Sequence, residues 1–251
     1  MGRPIYLEKL LFEPENSLIR QSLHARRAAV TTNGDGFGVG WYGGREVPGL
    51  YREILPAWND PNLKSLAHQI SSGLFFAHVR ASTGTETSRA NCHPFAHGRW
   101  MFMHNGQIGG YARLRRALDG LLPDHLYQHR RGTTDSEVFF YLLIHHGVDK
   151  DPPAAFQKTI ARVIEIMSEA EVDEPFRMTA ILSNGRHVYA LRFSTDPTPP
   201  TLFWRHGDGE LTVVSEPLDF DPLNWNEVPP SRLLVAEGEG EVAVETFRFQ
   251  V

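Results

Sequence analysis

The sequence predicts an α+β fold built in layers rather than from alternating βαβ units. Three observations lead there. Short, dense apolar runs occupy the first part of the chain, stretches of helical period fill the middle, and after Pro175 a string of strand-like runs is cut by turn signals. At 251 residues, 41% hydrophobic and 22% charged, the chain is long enough to bury a full core. No repeat or low-complexity linker divides it, so residues 1–251 read as a single domain with two sheets and helices packed outside them.

The elements follow in order. Asn16–Ala28 has the mixed pattern of a short helix, and the polar Thr31–Gly36 reads as a turn. In FGVGWY at 37–42 the apolar side chains alternate with Gly38 and Gly40, and glycine inside a strand marks a bulge or close backbone approach. Asp60–Ile70 follows an Asn-Asp-Pro signal and reads as a helix. Leu74–Val79 and Trp100–Met103 suit strands buried on both faces.

Tyr111–Leu122, Thr134–His146 and Ala154–Ala170 read as helices, the second opening on a Thr134/Glu137 capping box. Beyond Pro175 the strand-like runs are Phe176–Leu182, His187–Phe193, Thr201–Trp204, Leu211–Val214, Arg232–Ala236 and Val242–Phe249. Asn184-Gly185 and Gly207-Asp208-Gly209 are turn signals between them.

A net charge of −5 gives no bulk electrostatic case for nucleic acid or an anionic membrane, and the pairs Arg26–Arg27 and Arg130–Arg131 read as solvated faces. No apolar run approaches the roughly 18 to 20 residues that span a bilayer. The N-terminus has no signal-peptide pattern, and Tyr6 stands where a myristoylation signal needs Ser or Thr. The single cysteine, Cys92, fits a reducing compartment, so a cytoplasmic protein is expected.

Chemistry concentrates between Ala77 and Glu137. Arg80 ends an apolar strand, where a guanidinium can hold a carboxylate bidentately or make a surface ion pair. The Ser82 and Thr83 hydroxyls could join the same carboxylate or serve a turn. An amide from Asn105 and the N–H of Gly106 can converge on one oxyanion, although Asn-Gly is also a common turn dipeptide. Asp135, at a helix start, can cap that helix, receive an ammonium, or do both.

Neighbours in an extended segment point in opposite directions, so Cys92 reads as a small buried residue beside a His93-Pro94 turn rather than as a thiol–imidazole pair. His93, His97 and His104 lack a recognisable ligand spacing, so no metal is expected, and nothing calls for another cofactor.

Taken in order, AHVRAST at 77–83, NCHPF at 91–95, MHNGQI at 103–108 and TTDSE at 133–137 resemble the glutaminase domain of class II glutamine amidotransferases, within the N-terminal-nucleophile hydrolases. PIYLEKLLFEP at 4–14, NGDGFGVGWY at 33–42 and VVSEPLD at 213–219 are similar to its stand-alone branch. The resemblance implies a four-layer αββα sandwich. It also implies that Arg80 and Thr83 bind the glutamine α-carboxylate, Asp135 binds the α-ammonium, Asn105 and Gly106 form the oxyanion hole, and His93 supports the pocket.

Members of this family attack a γ-glutamyl amide with an N-terminal cysteine whose α-amine serves as base. Here Gly2 matches the glycine that follows the family's first strand, so the expectation is a chain lacking that short strand and its cysteine. The expected function is hydrolysis of the γ-amide of glutamine or of a γ-glutamyl conjugate through a thioester, with ammonia passed to a partner protein where there is an acceptor. The alternative is a non-catalytic glutamine or glutamate sensor or partner subunit. Exposed edges of a two-sheet sandwich favour a homodimer.

Overall fold

The computed structural model describes residues 1–27, 30–82, 86–207, 209–238 and 247–248. In chain order the strands are β1 (Ile5–Tyr6), β2 (Phe37–Trp41), β3 (Gly49–Glu53), β4 (Ser71–Ser72), β5 (Phe75–Val79), β6 (Phe95–His97) and β7 (Trp100–Gln107). They continue as β8 (Arg177–Ser183), β9 (His187–Ser194), β10 (Phe203–Gly207), β11 (Glu210–Val214), β12 (Asn226–Glu227), β13 (Arg232–Glu237) and β14 (Phe247–Arg248). The helices are α1 (Glu8–Leu11), α2 (Leu18–Leu23), α3 (Pro61–Gln69), α4 (Tyr111–Asp119), α5 (Asp124–Tyr127), α6 (Asp135–His145) and α7 (Pro152–Glu169).

The architecture is a four-layer αββα sandwich, and the period-two alternation of its central strands builds it. The main sheet runs β14-β13-β9-β8-β7-β6, with every neighbouring pair antiparallel. Met178, Ala180 and Leu182 of β8, with Leu191 and Phe193 of β9, point to one face and pack on α4, α6 and α7. Ile181, Val188 and Ala190 point to the other face, into a core shared with Leu74, Phe76, Leu202 and Leu211. Beneath the helices Phe102 stacks on Phe140 with ring centroids 5.5 Å apart. A fully buried phenylalanine of this kind contributes about 1.5–3 kcal/mol.

The second β layer consists of β3-β2-β5 and β11-β10-β12, which form separate hydrogen-bonded sheets, so the expected pair of sheets is resolved into more pieces. Leu7, Leu11, Phe37, Val39 and Leu63 form the outer core that holds α1 and α3 on β2. Gly38 and Gly40 turn to the inner side. A Cβ on Gly38 would collide with the His93 carbonyl oxygen, and one on Gly40 with the Met101 sulfur. Close approach, rather than a bulge, is why glycine alternates there.

β5 and β11 are terminal strands of their two sheets. Met1 and Leu211 exchange backbone hydrogen bonds of 2.8 and 2.7 Å, while the Gly2 N–H donates to the Gly73 carbonyl at 2.9 Å. The first two residues thus link the pieces. Glu216 makes a second tie. Its buried carboxylate accepts from the Asn16 amide at 3.1 Å and from the backbone N–H groups of Arg26 and Arg27 at 2.9 and 3.1 Å. This accounts for the glutamate of Ser215-Glu216-Pro217: it fastens the end of β11 to the segment leaving α2.

Several expectations need correction. The helix expected over Asn16–Ala28 spans only Leu18–Leu23, because Ala25 turns back to bond Thr31 and Ser22 bonds Asn33; Ala28 lies outside the described residues. The last helix begins at Pro152, since the Asp151 side chain caps it and proline is tolerated in a first turn. Tyr111–Leu122 ends as a helix at Asp119. The capping box is half made: Thr134 accepts from the Glu137 N–H at 3.2 Å, but the Glu137 carboxylate takes the N–H groups of Arg131 and Gly132. Of Val242–Phe249, only Phe247 and Arg248 fall among the described residues, and they form β14. Among the described residues no helix is long and apolar enough to cross a membrane.

Candidate active site

The strand expected over Trp100–Met103 continues to Gln107, and this extension shapes the site. Asn105 and Gly106 pair with Thr179 and Met178 of β8, so Asn105-Gly106 is a strand dipeptide and not a turn. On its other side β7 pairs with β6 only through Trp100–Phe102, which leaves the following residues clear of a strand neighbour there. Gly106 has φ +121°, and a Cβ there would collide with the Arg177 carbonyl oxygen. Only glycine fits that register without moving β8.

A cavity of about 730 Å³ lies between the two β layers, and Arg80, His93, Asn105, Gly106 and Asp135 all line it. Thr83 lies outside the described residues. The edges of β5 and β11 face the same cavity along their length, with Met1 beside them.

Arg80 is buried, and the polar NGDG segment holds its loop. Its guanidinium donates to the carbonyl of Asp35 at 3.1 Å and to that of Glu86 at 3.3 Å, and it also bonds Ser82 Oγ. The Asp35 carboxylate in turn accepts from the Ser82 N–H at 2.7 Å. Ser82 is therefore part of the loop's internal bonding, and backbone carbonyls help to fix the buried Arg80.

Asp135 starts α6 at a helix N-terminus, where the dipole favours a carboxylate. Its Oδ2 accepts from the Ile108 N–H at 2.8 Å and its Oδ1 from the Ser136 N–H at 2.8 Å. A carboxylate offers about four lone-pair directions, so acceptor capacity remains toward the cavity. The bond to Ile108 also ties α6 to the end of β7, placing the acid near Asn105-Gly106. Ser136 Oγ lies 2.9 Å from His104 Nδ1, adding a second link between the same two elements.

Three histidines underlie the site, His93 and His104 buried and His78 partly so. His78 and His93 lie with ring centroids 4.3 Å apart, and His93 meets Phe95 edge-on. Burial pulls the His78 pKa down to about 4 against its bond to Asn105. Burial also drives His93 well below the ordinary imidazole value, helped by neighbouring His78 and His104, and it lowers His104. The floor of the cavity is therefore neutral near pH 7. Both His93 ring nitrogens and His78 Nδ1 are buried with no hydrogen-bond partner among the described residues.

His78 escaped the sequence reading, although the signal was present: it stands two residues before Arg80, and i and i+2 share a strand face. Cys92 behaves as expected. It is fully buried, its thiol is 3.5 Å from the Glu53 and Ser88 carbonyls, and burial raises its pKa. Asn91 and His93 on either side line the cavity and Cys92 does not.

Comparison with known proteins bears on the family and the fold. The family model described as class-II glutamine amidotransferases matches residues 13–196. "Probable glutamine amidotransferase DUG3" of Saccharomyces cerevisiae is 33% identical, over 92% of this chain and 78% of that protein. The gamma-glutamyl-hercynylcysteine sulfoxide hydrolase of Mycolicibacterium smegmatis is 29% identical, over 93% of this chain and 92% of its own. A solved glutamine aminotransferase class-II domain protein from Silicibacter pomeroyi superposes with a TM-score of 0.76 at 37% identity, covering 98% of this chain and 96% of that one.

Proposed function

The chain belongs to the class II glutamine amidotransferases, and on that premise we propose that its cavity binds a γ-glutamyl amide for hydrolysis through a cysteine thioester. The observation that carries this reading is the convergence of Arg80, Asp135 and the Asn105-Gly106 pair on one cavity. Arg80 takes the α-carboxylate, with Thr83 beside it, and Asp135 takes the α-ammonium. This grip on both charged ends sets the direction of the side chain, so that the γ-carbonyl reaches the Asn105 amide and the Gly106 N–H. Those donors stabilise the oxyanion that forms when the carbonyl is attacked. His93, neutral and with no hydrogen-bond partner for either ring nitrogen among the described residues, supports the leaving nitrogen's side.

Attack needs a thiol and a base. Residues 1–3 are Met, Gly and Arg, and Cys92 lies outside the cavity, so none of these 251 residues puts a thiol there. A cysteine carried on an extended segment joined to the Met1 nitrogen would lie between the open edges of β5 and β11 and reach the cavity, its α-amine acting as base. The thiolate adds to the γ-carbonyl, the amine or ammonia leaves with a proton, and water cleaves the thioester to release the γ-carboxylate. Ammonia released this way is available to a partner protein.

A second reading is a glutamine-binding subunit without turnover, because Arg80 and Asp135 line the cavity independently of any thiol. Glutamate release from L-glutamine separates the two. The enzyme reading expects turnover once a cysteine-bearing segment precedes Met1, abolished by iodoacetamide. Tight glutamine binding with no turnover in that extended chain leaves the binding reading alone.

A further inference from the structure

His78 Nε2 lies 2.9 Å from Asn105 Oδ1, and the bond connects β5 to β7 across the cavity. From this contact we infer that His78 is a positioning residue that sets the polarity of the oxyanion site by fixing which end of the Asn105 amide faces the substrate. The inference rests on the reading of Asn105 as an oxyanion donor.

An asparagine side chain has an acceptor end and a donor end, and either can turn toward a neighbour. With the imidazole proton on Nε2, His78 donates to Oδ1 and the Asn105 Nδ2 group turns away, free to donate to a developing negative charge. With the proton on Nδ1, the Nε2 lone pair would oppose the Oδ1 lone pairs at 2.9 Å. The amide would then rotate to give Nδ2 to the histidine, and Oδ1 would face the substrate oxygen. One proton's position on the ring therefore decides between an attractive and a repulsive site.

Two further features hold the arrangement. The ring lies tilted against His93 with centroids 4.3 Å apart, which restricts its rotation. His78 Nδ1 is buried and makes no hydrogen bond among the described residues, so the side-chain bond that reads the proton is the one from Nε2 to Asn105. Burial keeps the ring neutral above about pH 4, so it stays a single-proton donor at working pH.

Long-range ¹H–¹⁵N correlation spectra of the unmodified chain read the tautomer directly, and L-glutamine titrations of variants read its consequence. The Nε2–H tautomer is expected. His78→Gln, whose amide can still donate to Oδ1, holds glutamine affinity within about threefold, while His78→Leu loses about tenfold, the worth of one hydrogen bond. A proton on Nδ1, or a folded His78→Leu that binds as tightly as the parent, overturns the inference. If instead the parent chain fails to bind glutamine, the reading of the site falls, and the ¹⁵N spectrum still decides the tautomer. If Arg80→Ala weakens binding and folded His78→Leu does not, the site reading stands and this inference falls.

Discussion

Gly106→Ala is the substitution that most severely tests how the site is built. The backbone there has φ +121°, which an L side chain adopts at a cost of about 1–3 kcal/mol. The new methyl would also collide with the Arg177 carbonyl oxygen and stand 2.7 Å from its carbon, against ordinary contacts that begin at 3.4 Å, so β7 and β8 must part by more than 0.7 Å (3.4 minus 2.7). Overpacking of that kind adds about 1–3 kcal/mol. The sum, about 2–6 kcal/mol, corresponds to a fall in Tm of at least about 4 °C for a chain of this size. Gly43→Ala is the control, because a Cβ there meets nothing within 4 Å and its change should stay within about 0.5 kcal/mol. Urea denaturation with glutamine titration checks both consequences: Gly106→Ala loses stability and weakens glutamine binding, since Asn105 moves with the strand. A Gly106→Ala chain as stable as Gly43→Ala would refute the reasoning about the β7–β8 register.

Three other expectations follow from buried groups. The His78 pKa is held at about 4 instead of 6.5, so the unfolded chain takes up a proton between those values that the folded chain refuses. Stability from this group is complete above about pH 6.5 and is lost as pH falls toward 4, by about 3 kcal/mol at order of magnitude, and His93 adds in the same direction. Urea midpoints should therefore fall steeply from about pH 7 to about pH 4.5, and less steeply in His78→Gln; a flat profile would contradict the burial. Glu216→Ala leaves two backbone N–H groups without their acceptor, while the Asn16 amide keeps its bond to the Pro217 carbonyl, and should cost about 1–3 kcal/mol, with hydrogen exchange rising at Arg26 and Arg27. Cys92 should resist alkylation in the native chain and react promptly in urea, because its thiol is enclosed and its pKa raised; rapid native labelling would place it at a reactive surface.

How far the sequence could be read depended on whether a signal was local. Apolar periodicity marked α6 and α7 and the central strands, since burial on one or both faces writes itself into the residue pattern. That Arg80, Asp135 and Asn105-Gly106 belong to one cavity was legible because each pairs a chemical type with an element end. His104 to Gln107 were harder: they are polar, so the strand reading stopped at Met103, yet pairing with β8 carries them as strand. Tertiary pairing overrode local composition there. Contacts across long separations had no local trace. Neither the bond from His78 to Asn105 nor the tie from Glu216 to the α2 segment, 190 residues apart at Arg26, can be seen until the sheets are assembled. β3 was also missed, because its residues are half-buried and lack clear alternation.

The central claim is that one cavity grips both charged ends of a γ-glutamyl group. Calorimetric titration of the 251-residue chain with L-glutamine tests it most directly, with Arg80→Ala and Asp135→Asn measured alongside and D-glutamine as the stereochemical control. The account predicts binding of the L isomer, weakened at least about tenfold by either substitution, as expected for the loss of a charge-assisted contact. No binding of L-glutamine, or binding that both variants retain undiminished, would contradict it.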